Sequence, residues 1–107
     1  MPLISPQFHT QNILRLSQEM YGCAQQGNWT MFTELEAERQ NIITALFAHP
    51  HINQTLEKLA ITLKQVVAID NKSMLLGERE KQRLAGEMAG LKQHHQAAQV
   101  YRRVSMN

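Results

Sequence analysis

Five histidines and one cysteine are the side chains best suited to chemistry in this 107-residue chain. Four of the histidines form two close pairs, His49 with His51 and His94 with His95. A helical zinc site usually joins two histidines four positions apart to a further carboxylate or cysteine, and neither pair has that spacing or that partner. The histidines therefore predict no metal site.

The other candidates for chemistry are equally weak. Cys23 lies in an apolar helical pattern, so we interpret it as a small core side chain, and a single cysteine excludes an intramolecular disulfide. The sequence has no glycine-rich phosphate loop, no nucleophile elbow and no pair of carboxylates with a reason to converge. We expect neither catalysis nor a cofactor.

Composition and charge favour a small helical domain. Glycine, proline and aromatic residues are few, and the net charge is +2. Residues 52–107 hold nine basic and five acidic side chains, a mild excess that is typical of a solvated surface rather than a nucleic-acid site. No apolar run is long enough to span a bilayer, and the N-terminus lacks the apolar region of a signal peptide. We expect a cytoplasmic protein with no membrane insertion.

The elements that position these side chains are helices, and the first two are joined by a tight bend. Helix 1 is predicted over about residues 7–26, with Gly27 providing the positive φ of its C-terminal cap. Asn28 then caps helix 2, predicted over about residues 29–48, so the single tryptophan, Trp29, lies at the bend. Such a short connection makes the two helices antiparallel neighbours.

Helix 2 carries the clearest heptad pattern of the chain, formed by Phe32, Leu35, Ile42 and Leu46. Arg39 interrupts this apolar stripe. A polar residue there can fix the register of packing at some cost in stability. Alternatively, its stem lies along the core while the guanidinium reaches water or Glu36. We favour the second interpretation.

A third, much longer helix follows Pro50. It is predicted over about residues 53–98, roughly 70 Å, so it must overhang the hairpin. Gly77, Gly86 and Gly90 weaken the overhang. The predicted fold class is therefore all-α, an antiparallel helical hairpin plus a long third helix. This is a three-helix bundle with a coiled-coil-like overhang. We expect a single helical domain over residues 1–107. The inward-facing apolar stripe predicted for helix 3 consists of Leu56, Leu59, Leu63, Val66, Val67, Met74, Leu84, Met88 and Leu91.

Asp70 lies in the middle of this stripe and needs a partner or water. Position 70 is expected opposite the start of helix 2. Asp70 would then accept a hydrogen bond from the Trp29 indole or from the first amides of helix 2. The alternative is that the tight bundle ends there and Asp70 is solvated. The sequence leaves both open.

Helix 3 also has apolar residues outside its inward stripe. These are Ile61, Ile69, Leu75 and Leu76, of which Ile69 and Leu76 are seven residues apart and stack on one side. A three-helix bundle cannot bury both sides of its longest helix. The remaining side must face solvent, a second copy or a partner, and we favour a helix-in-groove binding site.

Six short motifs occur over about residues 13–101. In chain order they are Leu16-Ser17, the run from Ala24 through Gly27 to Trp29, Leu35-Glu36 with Arg39, Ile42-Ile43, Ile69-Asp70-Asn71 and Ala97-Ala98-x-x-Tyr101. With these motifs the chain resembles the FliT family of flagellar type III export chaperones. The resemblance implies a chaperone that binds the C-terminal segment of the filament cap protein and prevents its premature assembly. It also implies delivery to the export ATPase complex and, in some members, inhibition of the flagellar master transcription regulator.

The resemblance also indicates where cargo binds. Family members use apolar surface on the second and third helices, which here corresponds to Ile43, Phe47, Ile61, Ile69 and Leu76. Many members end in a further helix that competes with cargo, whereas only six residues follow Tyr101 here. Either the overhang takes that role or autoinhibition is absent, which puts regulation of transcription in doubt.

Two other functions compete with the chaperone. The first is a structural coiled-coil adaptor that homodimerises through helix 3. The second is a helical nucleic-acid-binding protein, which rests on the basic C-terminal half alone and ranks last.

Overall fold

Three α-helices joined by short turns make up the computed structural model, which describes residues 4–106. Helix α1 covers Pro6–Gln26, α2 covers Trp29–Phe47 and α3 covers Ile52–Met106. The predicted all-α class is confirmed, since residues 4–106 contain no strand. Helix α3 is continuous through its glycines and ends at Met106 rather than near residue 98. None of the helices described is long and apolar enough to cross a bilayer.

Backbone caps define the bend between α1 and α2. Gly27 has φ 72°, the left-handed conformation, and its N–H donates to the Ala24 carbonyl at 3.2 Å. The Asn28 N–H donates to the Cys23 carbonyl at 2.8 Å. The Asn28 side chain in turn accepts from the Met31 N–H at 3.2 Å, which satisfies an amide in the first turn of α2. These bonds end one helix and begin the next within two residues.

Gly27→Ala is expected to lower the free energy of unfolding by about 1–2 kcal/mol, because an L-residue is strained at this φ. Space is not the cause, since a Cβ built at position 27 meets no atom within 4 Å. Gly22→Ala is the matched control. It too has open space, but it lies inside α1, where alanine should stabilise by up to about 1 kcal/mol. Thermal unfolding followed by circular dichroism should move in opposite directions for the two variants.

The chain divides into two compact units, Met1–Leu76 (unit 1) and Gly77–Asn107 (unit 2). The hydrophobic core belongs to unit 1 and draws on all three helices. Its buried members are Ile13, Leu46, Ile52, Leu59 and Val66, against which Leu14, Ile42, Ile43, Leu56 and Leu63 pack. Further along α1, Leu16, Met20 and Ala24 are also buried.

The inward face of α3 is narrower than predicted. Val67 and Met74 are exposed, at 57% and 67%, and their assignment to the inward stripe is wrong. Val67 directly follows the buried Val66, and Met74 directly follows the buried Ser73. Each residue along a helix rotates the side-chain direction by about 100°, which moves Val67 and Met74 off the buried side. The buried line therefore continues from Val66 to Ser73, seven residues or about two turns later.

Unit 2 consists of the later part of α3, whose described side chains are mostly exposed. Leu84, Met88 and Leu91 are exposed, so their predicted inward position is also wrong, because the described residues of unit 2 belong to α3 alone. Arg83 pairs with Glu80 at 2.7 Å and with Glu87. The hydrogen bond from Arg83 lowers the pKa of the Glu80 carboxyl.

Candidate partner-binding surface

A polar contact inside unit 1 joins all three helices. The Arg39 guanidinium, from α2, donates to the Ser17 hydroxyl of α1 at 2.8 Å and to the Asp70 carboxylate of α3 at 2.6 Å. The Arg39 side chain is 13% exposed and that of Asp70 is 31% exposed. Ser17 in turn donates to the Ile13 carbonyl at 2.7 Å. This contact, the Arg39 bridge, links one side chain from each of the three helices.

The bridge corrects two interpretations of the sequence. The Arg39 guanidinium does not pair with Glu36 or extend mainly into water, as favoured above, but crosses to the other helices and is only 13% exposed. Asp70 does not pair with Trp29, because its carboxylate accepts from a charged guanidinium, which binds it more strongly than an indole N–H does. The Trp29 ring packs against Phe32 at 5.2 Å between centroids, and its Nε1 is buried with no hydrogen-bond partner among the described residues.

The five predicted partner-binding residues fall into two groups. Phe47 and Ile61 are exposed, at 57% and 74%. Ile43, Ile69 and Leu76 are half-buried, and Ile43 packs against the core of unit 1. Only the first two therefore present most of their apolar surface to a partner.

One exposed apolar surface of unit 1 lies along α3. At about 100° per residue, four exposed large apolar residues lie on one side of the helix about 140° wide, directed away from the buried line, together with Lys64, Ala68 and Asn71. We call this side the outer band, and its members are Ile61, Val67, Met74 and Leu75. Sequence analysis placed Ile61 and Leu75 outside the core but assigned Val67 and Met74 to it. Val67 and Met74 are seven residues apart, a spacing that places both on the same side of a helix, and this was the sequence signal that could have grouped them.

The polar surface of the described residues offers little for a cofactor. Along α2, a shallow depression of about 470 Å³ is lined by Thr33, Glu36, Ala37, Arg39 and Gln40. The Arg39 guanidinium in this depression is already hydrogen-bonded to Ser17 and Asp70. At the turn before α3, the His51 N–H donates to His49 Nδ1 at 3.1 Å, and the two rings are 5.7 Å apart. No group of three or more His, Cys, Asp or Glu among the described residues is placed to hold a metal ion.

Comparison with known proteins identifies the family. A family model described as "Flagellar protein FliT" matches residues 8–103, which include the bend, the Arg39 bridge and the outer band. No curated protein and no solved structure matches the chain. The family match covers nearly the whole sequence and agrees with the all-helical fold and with the resemblance carried by the bend. The chain therefore belongs to the FliT family of flagellar export chaperones.

Proposed function

We propose that this chain is a cytoplasmic flagellar export chaperone that binds the C-terminal helical segment of the filament cap protein. Binding would keep the cargo from assembling early and allow its delivery to the export apparatus. Family membership supports the class of function. The observation that carries the binding mode is the outer band, a set of exposed apolar side chains on one side of a helix that is anchored to a core on its other side.

The outer band has the dimensions of a helix-docking surface. From Ile61 to Leu75 it extends roughly 21 Å along α3, the length of about four helical turns of a partner. Burying one such side chain stabilises a complex by about 1.5–3 kcal/mol before association costs. Because the Arg39 bridge holds α3 against α1 and α2, little ordering of the band would be needed on binding.

The family resemblance implies two further activities. Delivery requires contact with the export ATPase complex, and some relatives inhibit the flagellar master transcription regulator. Both follow from the family resemblance rather than from any surface described above. We propose the first together with the chaperone role.

A second candidate function is a coiled-coil adaptor that homodimerises through α3. Leu84, Met88 and Leu91 favour it, because they are exposed and follow one another at spacings of four and three, the pattern of a coiled-coil seam. In a parallel pair, Glu87 of one chain would lie near Lys92 of its partner, flanking that seam.

Light scattering coupled to size-exclusion chromatography tests both functions in one experiment. The full chain is measured alone and with a peptide from the C-terminus of the cognate filament cap protein. A one-to-one complex would support the chaperone. A tight dimer that is present from the outset and unchanged by the peptide would support the adaptor instead.

Ile61→Ala combined with Leu75→Ala is expected to weaken peptide binding at least tenfold, because it removes the two ends of the outer band. Both residues are exposed, so the melting temperature should change little. Leu84→Ala with Leu91→Ala is the matched control, since it removes exposed apolar side chains of similar size from unit 2. Isothermal titration calorimetry measures both. Equal losses in the two double variants would remove the outer band from the proposal.

A further inference from the structure

The shallow depression along α2 is lined mainly by one side of that helix. Thr33, Glu36, Ala37 and Gln40 follow one another at spacings of three, one and three, so they share a side of α2, and all four are exposed. Arg39 also contributes to the lining. Ala37 has the smallest of these side chains, so it fills little of the space of about 470 Å³. We call this site the α2 depression.

The Arg39 guanidinium has N–H groups that the Arg39 bridge does not use. Its bonds to Ser17 and Asp70 both come from Nη1. The other N–H groups are on Nε and Nη2, and they have no acceptor among the described residues. Because the guanidinium is planar and rigid, holding Nη1 also fixes the direction of these remaining donors. The lining of the α2 depression therefore includes a charged donor with unused hydrogen-bonding capacity.

Glu36 and Gln40 add unused acceptors to the same lining. Their side chains form no hydrogen bond or ion pair within the part of the chain that the structure describes. Glu36 and Arg39 are three residues apart, a spacing at which opposite charges often pair on a helix. Here Arg39 pairs with Asp70 of α3 instead. The Glu36 carboxylate is thus left to accept from water or from a ligand.

The α2 depression is connected to the edge of the outer band. Asp70 lies three residues after Val67 and four before Met74, so these three side chains are neighbours on α3. Val67 and Met74 belong to the outer band, and the Asp70 side chain is 31% exposed. Asp70 accepts from Arg39 at 2.6 Å, and Arg39 lines the α2 depression. A helix docked on the outer band would therefore have a polar site beside it.

The polar groups of the α2 depression favour a neutral ligand that both donates and accepts. Arg39 and Asp70 carry opposite charges and Glu36 adds a second negative one, so a carboxylate would meet an excess of negative charge. An ammonium or guanidinium has donors only and could not accept from Arg39. A hydroxyl donates and accepts through one atom, whereas a carboxamide uses two. The carboxamide suits Arg39 and Glu36 best, because these two groups are not paired with each other.

We propose that the α2 depression is a specificity site, which holds the carboxamide of a cargo asparagine or glutamine side chain between Arg39 and Glu36. This inference rests on the proposed chaperone function and deepens it. The outer band can take the apolar side of many helices, whereas the α2 depression requires an amide at one position of the cargo. Without that amide the two charged groups lose a shared ligand, so binding should weaken about tenfold.

The first test is a cycle of single and double variants, measured by isothermal titration calorimetry on the full chain. The probe is the peptide from the C-terminus of the cognate filament cap protein, in which each Asn and Gln is replaced in turn by Ala. Ala37→Leu fills the α2 depression and leaves the Arg39 bridge in place. Ala45→Leu is the matched control, since it changes another exposed alanine of α2 outside the depression. Circular dichroism verifies that both variants are helical.

The proposal expects one Asn or Gln of the peptide to stand out. Its replacement should weaken binding about tenfold to wild type and to Ala45→Leu, and should cost nothing further in Ala37→Leu. Ala37→Leu alone should bind the unmodified peptide about tenfold more weakly than wild type. The absence of any such Asn or Gln overturns the proposal. A Lys or Arg of the peptide that depends on position 37 instead would also overturn it, in favour of a cation beside Glu36.

A change of charge at Glu36 tests the same chemistry without filling the space. Replacing the amide of the peptide by a carboxylate, Asn by Asp or Gln by Glu, should weaken binding to wild type more than alanine does, because Glu36 repels it. Glu36→Lys should recover most of that loss. Glu38→Lys is the matched control, since Glu38 is exposed on α2 but does not line the depression. Equal recovery in the two variants would overturn the proposal, because net charge alone would then explain it.

The failure of this inference differs from the failure of the proposed function. If wild type does not bind the peptide, the chaperone proposal itself is wrong. If Ile61→Ala with Leu75→Ala weakens binding while Ala37→Leu behaves like Ala45→Leu, the outer band remains the cargo site and the α2 depression holds only water. Because Glu36→Lys leaves the depression open, its result stands even if Ala37→Leu loses helicity.

Discussion

Arg39→Ala is expected to lower the free energy of unfolding by about 2–4 kcal/mol, because it leaves the Asp70 carboxylate and the fully buried Ser17 hydroxyl without their shared donor. Loss of one partner from a fully buried pair costs about 3–5 kcal/mol. The expected value is lower here, because the Asp70 side chain is partly exposed and water can replace some of the lost interaction. In a domain of this size each kcal/mol lowers the melting temperature by about 4–8 °C.

Arg39→Met separates the charge from the packing of the arginine stem. Methionine keeps most of the apolar stem against the core but removes the donor, so it should destabilise less than alanine and still leave Asp70 unpaired. Adding Asp70→Asn relieves the unpaired carboxylate. The double variant should therefore recover part of the loss, with a coupling energy of about 1–3 kcal/mol in the cycle.

Chemical denaturation in urea measures the four members of this cycle. The bridge is contradicted as a stabilising contact if Arg39→Met and Asp70→Asn are additive within about 0.5 kcal/mol. Arg15→Met is the matched control, because Arg15 pairs with Glu19 on the surface of a single helix. Exposed pairs of this kind contribute about 0.3–0.5 kcal/mol, so the control should be nearly silent.

Local features of the sequence were enough to predict the helices and the bend. Gly27 adopts a positive φ easily because it has no side chain. Asn28 has a short amide side chain that can cap the next helix. Pro50, which lies between α2 and α3, interrupts a helix through its own ring and therefore also acts locally. The family resemblance carried by the same bend is confirmed by the match over residues 8–103.

The Arg39 bridge could not be predicted in the same way, because it depends on the relative register of three helices. The sequence marked Arg39 and Asp70 separately as polar residues in apolar stripes, and each was given a different partner. Pairing them requires knowing how far the arginine side chain reaches along α3, which no local pattern contains. The inward stripes of the three helices each contain one polar residue, Ser17, Arg39 and Asp70. This shared feature was the sequence signal that could have indicated a contact among them.

The division of α3 into faces was predicted only at its centre. Leu59 and Val66 lie on the middle of the buried line, so a modest error in helical phase leaves them buried. Val67 and Met74 lie at its edge, where the same error turns a buried residue into an exposed one. The two members of the outer band at this edge, Val67 and Met74, were therefore the ones assigned to the wrong side of the helix.

Leu46→Ala is expected to cost about 2–5 kcal/mol of unfolding free energy, since it opens a cavity where α1, α2 and α3 meet. Leu46 is 0% exposed and belongs to the buried cluster with Ile13, Ile52 and Leu59. Leu35 and Leu63 also lie on inward stripes, but both are only half-buried. Truncating either of them should therefore cost less than truncating Leu46, although the three side chains are chemically identical.

Comparing Leu46→Ala, Leu35→Ala and Leu63→Ala by urea denaturation tests whether burial rather than sequence pattern ranks these leucines. Leu75→Ala is the matched control, because it removes the same atoms from an exposed site and should change stability by less than about 0.5 kcal/mol. If Leu35→Ala costs as much as Leu46→Ala, the core extends further towards the bend than the buried cluster indicates.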